Sequence, residues 1–324
     1  MNVSTLQTLP PARTLSKKDL ITIGDLSPEE LLAVFELGAR AKRDPSRYAD
    51  ALRGKTIVLL FEKASLRTRV TFDVGIHQMG GHAIYLDHQK VKLGEREAIR
   101  DIARNLERWT HGIVARTYKH RSVLELAAST RIPVINGLTD LLHPCQGLTD
   151  FFTMREHFGT FEGVRLCYVG DGNNTCHSLL DGAAKLGVPI TTISPEGYEP
   201  NSRIVNEAMR SAEATGAEIR VTNDLDAIEG ATVVYTDTWA SMGQEAEVEE
   251  RAAVFADFQV NEALLDRAGP DAVFMHCLPA HRGMEVSPGV LDSDRSLVFE
   301  QAENRLHVQN ALLLFLVAGI ELEG

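Results

Sequence analysis

The stretch Phe61-Glu62-Lys63-Ala64-Ser65-Leu66-Arg67-Thr68-Arg69 gathers two hydroxyls and several cations where an apolar run, residues 56–61, gives way to a helical pattern beginning near Arg67. A helix start offers free backbone N–H groups and the positive end of its dipole, which together bind phosphate. Ser65 and Thr68 add hydroxyl donors, and Arg67 adds a planar fork matched to phosphate oxygens. A polar first turn with solvated arginines is the plain alternative. Arg116 closes a second apolar run, residues 112–116, at the carboxyl end of a strand, where ligands collect in open α/β sheets. A surface salt bridge would be its ordinary use.

Further along, His143-Pro144-Cys145-Gln146 opens another helix, with Pro144 suited to the first turn, His143 capping it and Gln146 one turn on, on the same side. A His and a Gln converging there can hold a carbonyl oxygen and its amide neighbour; a satisfied structural histidine is the competing use. Gly170-Asp171-Gly172-Asn173-Asn174-Thr175 is a strand-to-helix turn that lacks the third glycine of a dinucleotide fingerprint. Its asparagines read better as amide contacts to a small zwitterion. Asp237-Thr238-Trp239-Ala240-Ser241-Met242-Gly243 follows an apolar run. The Asp237 carboxylate can pair with an ammonium group, while Ser241 and the backbone near Met242 can meet a carboxylate. Met275-His276-Cys277-Leu278-Pro279-Ala280-His281-Arg282-Gly283 ends the last run. His276 and Cys277 are too few ligands for zinc, and as neighbours on a strand they should face opposite ways, which excludes a Cys–His dyad.

These residues need strands to end behind them. Apolar, β-branched runs at 56–61, 83–86, 112–116, 134–136, 165–170, 190–194, 219–222, 232–236 and 272–276 alternate with helical patterns such as 95–109, 144–156, 178–186 and 203–214. Ser27-Pro28-Glu29-Glu30 carries the Ser, Pro and Glu of a capped helix start. Strands without a polar face belong to parallel sheets covered on both sides. The expected fold is α/β: two open parallel-sheet domains in three αβα layers. A chain of 324 residues also suits two domains of about 100–200 residues each.

A formal charge of −12 speaks against a nucleic-acid partner, which wants a basic surface. Four scattered cysteines, Cys145, Cys167, Cys176 and Cys277, make neither a disulfide framework nor a zinc or redox pair. Reduced thiols fit a cytoplasmic address. Residues 1–18 contain no apolar core of a secretory signal, although the lack of acidic residues there also fits an organellar-transit segment. The longest apolar run, residues 311–320, is too short to span a bilayer.

Taken in order, Ser-x-Arg-Thr-Arg after the first strand, His-Pro-Cys-Gln at the domain join, Asp-x-x-x-Ser-Met-Gly and His-Cys-Leu-Pro resemble the ornithine carbamoyltransferases. The likeness runs from Leu20 to Leu314. The first two motifs are shared by transcarbamylases generally, whereas Ser241-Met242-Gly243 and His276-Cys277-Leu278-Pro279 look like the ornithine branch.

The resemblance implies transfer of a carbamoyl group from carbamoyl phosphate to the side-chain amine of L-ornithine, a reaction of arginine metabolism. Residues 1–148, with a returning helix at about 305–324, would bind carbamoyl phosphate, and residues 149–304 would bind ornithine. Ser65, Arg67, Thr68 and Arg116 would hold the phosphate, with Leu66 giving its backbone N–H. His143, Gln146 and Arg305 would hold the carbamoyl end. Cys277 would lie near the reacting amine, Leu278 would offer its carbonyl, and Asn174, Asp237, Ser241 and Met242 would grip ornithine. Arg116, His143 and Cys277 would be the catalytic groups. Lys92 would reach into a neighbouring subunit's site, since such enzymes are built on trimers. No metal, organic cofactor or membrane is implied. Leu66 departs from the family pattern, which has threonine there. A transcarbamylase for putrescine, N-acetylornithine or aspartate, a non-catalytic paralogue and a nicotinamide-linked dehydrogenase are the rival readings.

Overall fold

The computed structural model describes residues 9–88, 92–240 and 245–322. Helix α1 (Pro28–Arg43) begins as its sequence dictates. The Ser27 hydroxyl accepts from the Glu30 N–H at 3.2 Å, and the Glu30 carboxylate takes the Ser27 N–H at 2.7 Å. The chain then runs β1 (Thr56–Phe61), α2 (Arg67–Gln78), β2 (His82–Asp87), α3 (Ile99–Trp109), β3 (Gly112–Arg116), α4 (His120–Ala128), β4 (Val134–Leu138) and α5 (Pro144–Phe158). It continues through β5 (Leu166–Val169), α6 (Asn174–Leu186), β6 (Ile190–Ile193), α7 (Ser202–Ala212), β7 (Ile219–Thr222) and β8 (Val233–Thr236). The last elements are α8 (Val248–Val254), α9 (Glu262–Ala268), β9 (Val273–His276), α10 (Pro288–Leu291) and α11 (Val298–Leu313).

The chain forms two compact units. One holds residues 9–152 and those from 303 onward; the other holds residues 153–302. The chain passes from the first to the second within α5 and returns within α11. In the first unit the sheet order is β2-β1-β3-β4, and in the second β7-β6-β5-β8-β9, with every pairing parallel. Burial explains the composition of the strands. Central β1, β3, β5 and β8 are almost wholly covered, as helix crossovers require, whereas edge strands β2 and β7 keep exposed positions. Val58, Leu60, Ile113, Ala115, Val123 and Leu126 build one core, and Val169, Ile193, Val234, Leu265 and Phe274 the other.

Each sheet reverses its strand order once, between β1 and β3 in the first unit and between β5 and β8 in the second. Ligands bind open α/β sheets beyond the carboxyl ends of strands at such a switch. Phe61 pairs with Arg116 across the first switch, so the Ser65 turn and Arg116 share one mouth. The Gly170 turn and Asp237 leave from the second.

Two helices start elsewhere than their periodicity suggests. The pattern from Glu95 becomes helical only at Ile99, because Glu95 folds its carboxylate back onto the Lys92 N–H at 3.2 Å and Ala98, at φ −59° and ψ 139°, is not helical. The pattern from Ser178 begins four residues early, at Asn174, because the Asn173 side chain caps the Thr175 and Cys176 N–H groups at 2.9 and 3.2 Å. Among the described residues, no helix is long and apolar enough to cross a membrane.

Candidate active site

In the first unit the turn after β1 leads straight into α2. Leu66 precedes α2 with helical dihedrals (φ −76°, ψ −63°) and no side-chain cap, so the first N–H groups of the helix point at whatever lies over the turn. Ser65 and Arg67 are half-buried beside it, and Thr68 is buried. The Thr68 hydroxyl accepts from Arg305 Nη2 at 3.0 Å and from Arg116 Nη1 at 3.3 Å. Both of its lone pairs are engaged, so it has only its hydrogen to offer a ligand. Arg305 Nη1 also donates to Gln146 Oε1, while Gln146 Nε2 donates to Asp150 Oδ1 at 2.7 Å. The fully buried Arg305 thus joins the first turn of α2 to the first turn of α5.

His143 is buried in the same unit. Burial, and then the positive charges of Arg305, Arg116, Arg67 and Lys63, push its imidazole well below the ordinary 6.5. At neutral pH it is an uncharged ring able to donate one N–H to a developing oxyanion. Cys145 on the same helix is no nucleophile, because burial raises its thiol to about 11. Lys63 is a cation that the motif did not single out. It is buried, and its ammonium lies 4.7 Å from the Tyr118 ring centroid. Lys92, exposed, sits 5.3 Å from the same ring. Arg69 turns away onto Tyr85 at 3.8 Å.

In the second unit Asp237 follows β8 and is buried. Its Oδ1 accepts from Cys277 Sγ at 3.0 Å and the Thr238 N–H at 2.8 Å, and its Oδ2 accepts from Asn173 Nδ2 at 2.8 Å. Asn174 is the half-buried first residue of α6. Asp171 pairs with Arg251 at 3.0 Å. Burial outweighs that partner and raises the Asp171 carboxyl to about 6. Arg251 also donates to the Trp239 carbonyl at 2.8 Å. Neither Asp171 nor Arg251 stood out in the sequence. Ser241 and Met242 lie outside the described residues.

The His276-Cys277-Leu278-Pro279 segment corrects one expectation. Strand β9 ends at His276, so Cys277 is not held to the opposite face, and donor atoms of Asp237, His276 and Cys277 lie within 4.8 Å of one another. Bonding rather than facing keeps His276 from its neighbour. Its Nδ1 takes the Leu278 N–H at 2.8 Å, and its Nε2 lies 3.3 Å from the buried carboxylate of Glu285. A cation there would have to break one of these contacts. Leu278, at φ 58°, is the non-glycine residue with positive φ among the described residues, and the His276 bond helps to hold it.

The dinucleotide reading fails on geometry. A Cβ at Gly172 would stand 2.1 Å from Pro200 N. The backbone approach that a pyrophosphate would need is therefore filled by the chain itself.

Two parallel α/β units, one with a cationic strand-to-helix turn and the other with a buried carboxylate held by amide and thiol partners, have the make-up of an enzyme. Comparison identifies its kind. Residues 18–156 match the aspartate/ornithine carbamoyltransferase carbamoyl-P binding domain, and residues 162–316 match the Asp/Orn binding domain. Ornithine carbamoyltransferase from Shewanella oneidensis is 50% identical over 299 residues, 92% of this chain and 99% of that one. The enzyme from Anoxybacillus flavithermus is 51% identical over 307 residues, 94% of this chain and 98% of its own. The solved structure of ornithine carbamoyltransferase from Pyrococcus furiosus superposes with a TM-score of 0.91 at 46% identity, covering 95% of this chain and 99% of that one. The chain belongs to the aspartate/ornithine carbamoyltransferase family.

Proposed function

We propose that the chain transfers the carbamoyl group of carbamoyl phosphate to the side-chain amine of L-ornithine, giving L-citrulline and phosphate. The observation that carries this reading is the buried His143, whose imidazole is pushed well below its ordinary value by burial and then by Arg305, Arg116, Arg67 and Lys63, in the same unit as the uncapped helix start at Leu66. The unit holding residues 9–152 and the returning helix takes carbamoyl phosphate. Ser65, the Leu66 N–H, Arg67, Thr68 and Arg116 receive its phosphate, and His143, Gln146 and Arg305 its carbamoyl end. The unit of residues 153–302 takes ornithine through Asn174, Asp237, Ser241 and Met242. Cys277 lies near the reacting amine and Leu278 offers its carbonyl.

The amine nitrogen attacks the carbamoyl carbon and the carbonyl oxygen gains negative charge. The C–O bond to phosphate then breaks, and the proton shed by the amine ends on the departing phosphate. His143 and Arg116 stabilise the oxygen, while the arginines and helix N–H groups stabilise the leaving group, all as preorganised charges. Nothing in this sequence of steps calls on a metal or an organic cofactor.

The working form is a homotrimer or a multiple of trimers, with Lys92 serving a neighbour's phosphate pocket. Exposed Leu66, just before α2, with Val70 and Val74 at four-residue spacing on α2, and exposed Ile84 on edge strand β2 support burial against another copy. The four free thiols suit the cytoplasm. The deciding experiment is a citrulline assay of purified protein with carbamoyl phosphate and a panel of amines. Turnover confined to putrescine, N-acetylornithine or aspartate would overturn the choice of acceptor.

A further inference from the structure

Glu62 stands between the phosphate turn and two loops, and its carboxylate serves both. The residue is buried. Its Oε1 accepts from the Leu93 N–H at 2.6 Å, and its Oε2 accepts from the Tyr118 N–H at 2.8 Å. A buried carboxylate satisfied by backbone donors is a strong fixed joint, because these bonds are charge-assisted.

The two loops depend on it unequally. The turn at Tyr118 is held several other ways. The Thr117 N–H donates to the Leu138 carbonyl at 3.0 Å, and the Asp140 N–H donates to the Tyr118 carbonyl at 3.0 Å. The Thr117 hydroxyl donates to the Lys119 carbonyl at 3.0 Å, and the Glu62 N–H donates to the Arg116 carbonyl at 2.8 Å. Around Lys92, by contrast, the Lys92 N–H bonds Glu95 and the Glu95 N–H bonds the Lys92 carbonyl, both at 3.2 Å and both inside the turn. The Leu93 bond to Glu62 reaches from that turn to the end of β1. The buried Leu93 side chain packs into the core of the same unit, but among the described residues the Glu62 bond is the hydrogen bond that fixes the backbone of this turn to β1, so loss of the carboxylate falls on the segment that carries Lys92.

The geometry points to Glu62 as a positioning residue that acts on the neighbouring subunit's active site, by fixing the turn from which Lys92 extends. This rests on the shared-site reading above. It has an unusual consequence for a residue inside the phosphate motif: its defect is exported to a neighbour, whereas that of Arg67, five residues on, stays at home.

The test uses reassembled trimers of the full chain. Glu62→Gln keeps the size but replaces one acceptor by an NH2 group, so one N–H loses its partner. Alone it should lower kcat/KM for carbamoyl phosphate about ten- to a hundredfold, the scale of one charge-assisted hydrogen bond, with a melting curve that moves down but stays cooperative. Mixed equally with Arg67→Ala subunits, it should recover about a quarter of wild-type activity, since about one site in four pairs an intact Arg67 with an intact neighbouring turn. A Lys92→Ala and Arg67→Ala mixture, run in parallel, tests the shared site itself. Recovery in that control but not with Glu62→Gln overturns the export. Recovery in neither, with reassembly verified, removes the shared site and this inference with it. A Glu62→Gln homotrimer as active as wild type also overturns it. If Glu62→Gln does not assemble, Glu62→Asp, which keeps the charge but cannot span both donors, carries the same comparison.

Discussion

The Cys277 thiol donates to Asp237 Oδ1 at 3.0 Å, while Asn173 holds Asp237 Oδ2 at 2.8 Å. With the Thr238 N–H at 2.8 Å, three of the roughly four acceptor positions of the carboxylate are taken. What remains suits one ammonium hydrogen. The thiol is aimed at the same carboxylate, which is the arrangement the proposed ornithine site uses.

Asp237→Asn tests this arrangement. An amide keeps the shape but loses the charge and turns one acceptor into a donor. The KM for ornithine should rise about ten- to a hundredfold, the range expected from losing a hydrogen bond to a charged group. Calorimetric titration should show carbamoyl phosphate binding with nearly its wild-type affinity. Equal loss for both ligands would make Asp237 a structural residue.

Arg67→Ala should abolish useful turnover and leave the fold intact, because Arg67 is half-buried at the start of α2 and lies outside both apolar cores. Removing a fork that strengthens as phosphate leaves should cost at least ~3 kcal/mol, about a hundredfold in rate. The variant's circular dichroism and kcat are the measurements. A folded protein with near wild-type kinetics is the contrary result.

The Asp171–Arg251 pair makes a pH prediction. Burial raises the folded carboxyl from 3.8 to about 6. A carboxyl whose pKa is higher folded than unfolded holds its proton more tightly in the native state. Its stabilising contribution is complete below about 3.8 and is lost as pH rises through about 6. Asp171→Asn carries no such proton. Between pH 4 and pH 7.5 the variant should therefore gain on wild type, by on the order of 2 kcal/mol. Denaturant melts at the two pH values read this directly, and a gap that stays constant would show that Asp171 ionises as it does in the unfolded chain.

Legibility in the sequence followed distance along the chain. The strand-to-helix turn at Ser65 could be read because strand, turn and helix are contiguous. The strands could be read because parallel sheets bury both faces and leave continuous apolar runs. Arg305 is different: it lies 237 residues from Thr68 and 159 from Gln146, so no local pattern marks it, and only the family resemblance did. Asp171 with Arg251, 80 residues apart, and Glu62 with Leu93 and Tyr118, 31 and 56 residues away, left no trace in spacing at all. The late start of α3 escaped for another reason. Residues 95–98 are good helix formers, and a single side-chain bond from Glu95 overrides that preference.

Leu66, where the family pattern has threonine, yields the last prediction. Its dihedrals are already helical and its carbonyl accepts from the Val70 N–H at 3.0 Å, so it behaves as a first-turn residue and not as an N-cap. A hydroxyl there would not sit in the extended conformation from which a cap bonds back to its own helix. The side chain is 73% exposed and continues the stripe of Val70 and Val74. On the reading proposed above the phosphate meets Leu66 through its N–H, and the side chain serves the surface proposed to face another copy. Leu66→Thr should change the KM for carbamoyl phosphate by less than about threefold, below 1 kcal/mol. It should instead loosen subunit association, since it takes apolar area from that stripe. Sedimentation at falling protein concentration measures the second effect and steady-state kinetics the first. A tenfold or greater gain in carbamoyl phosphate affinity, about 1.4 kcal/mol, would mean that the hydroxyl does reach the phosphate and that the family threonine contributes a bond this chain lacks.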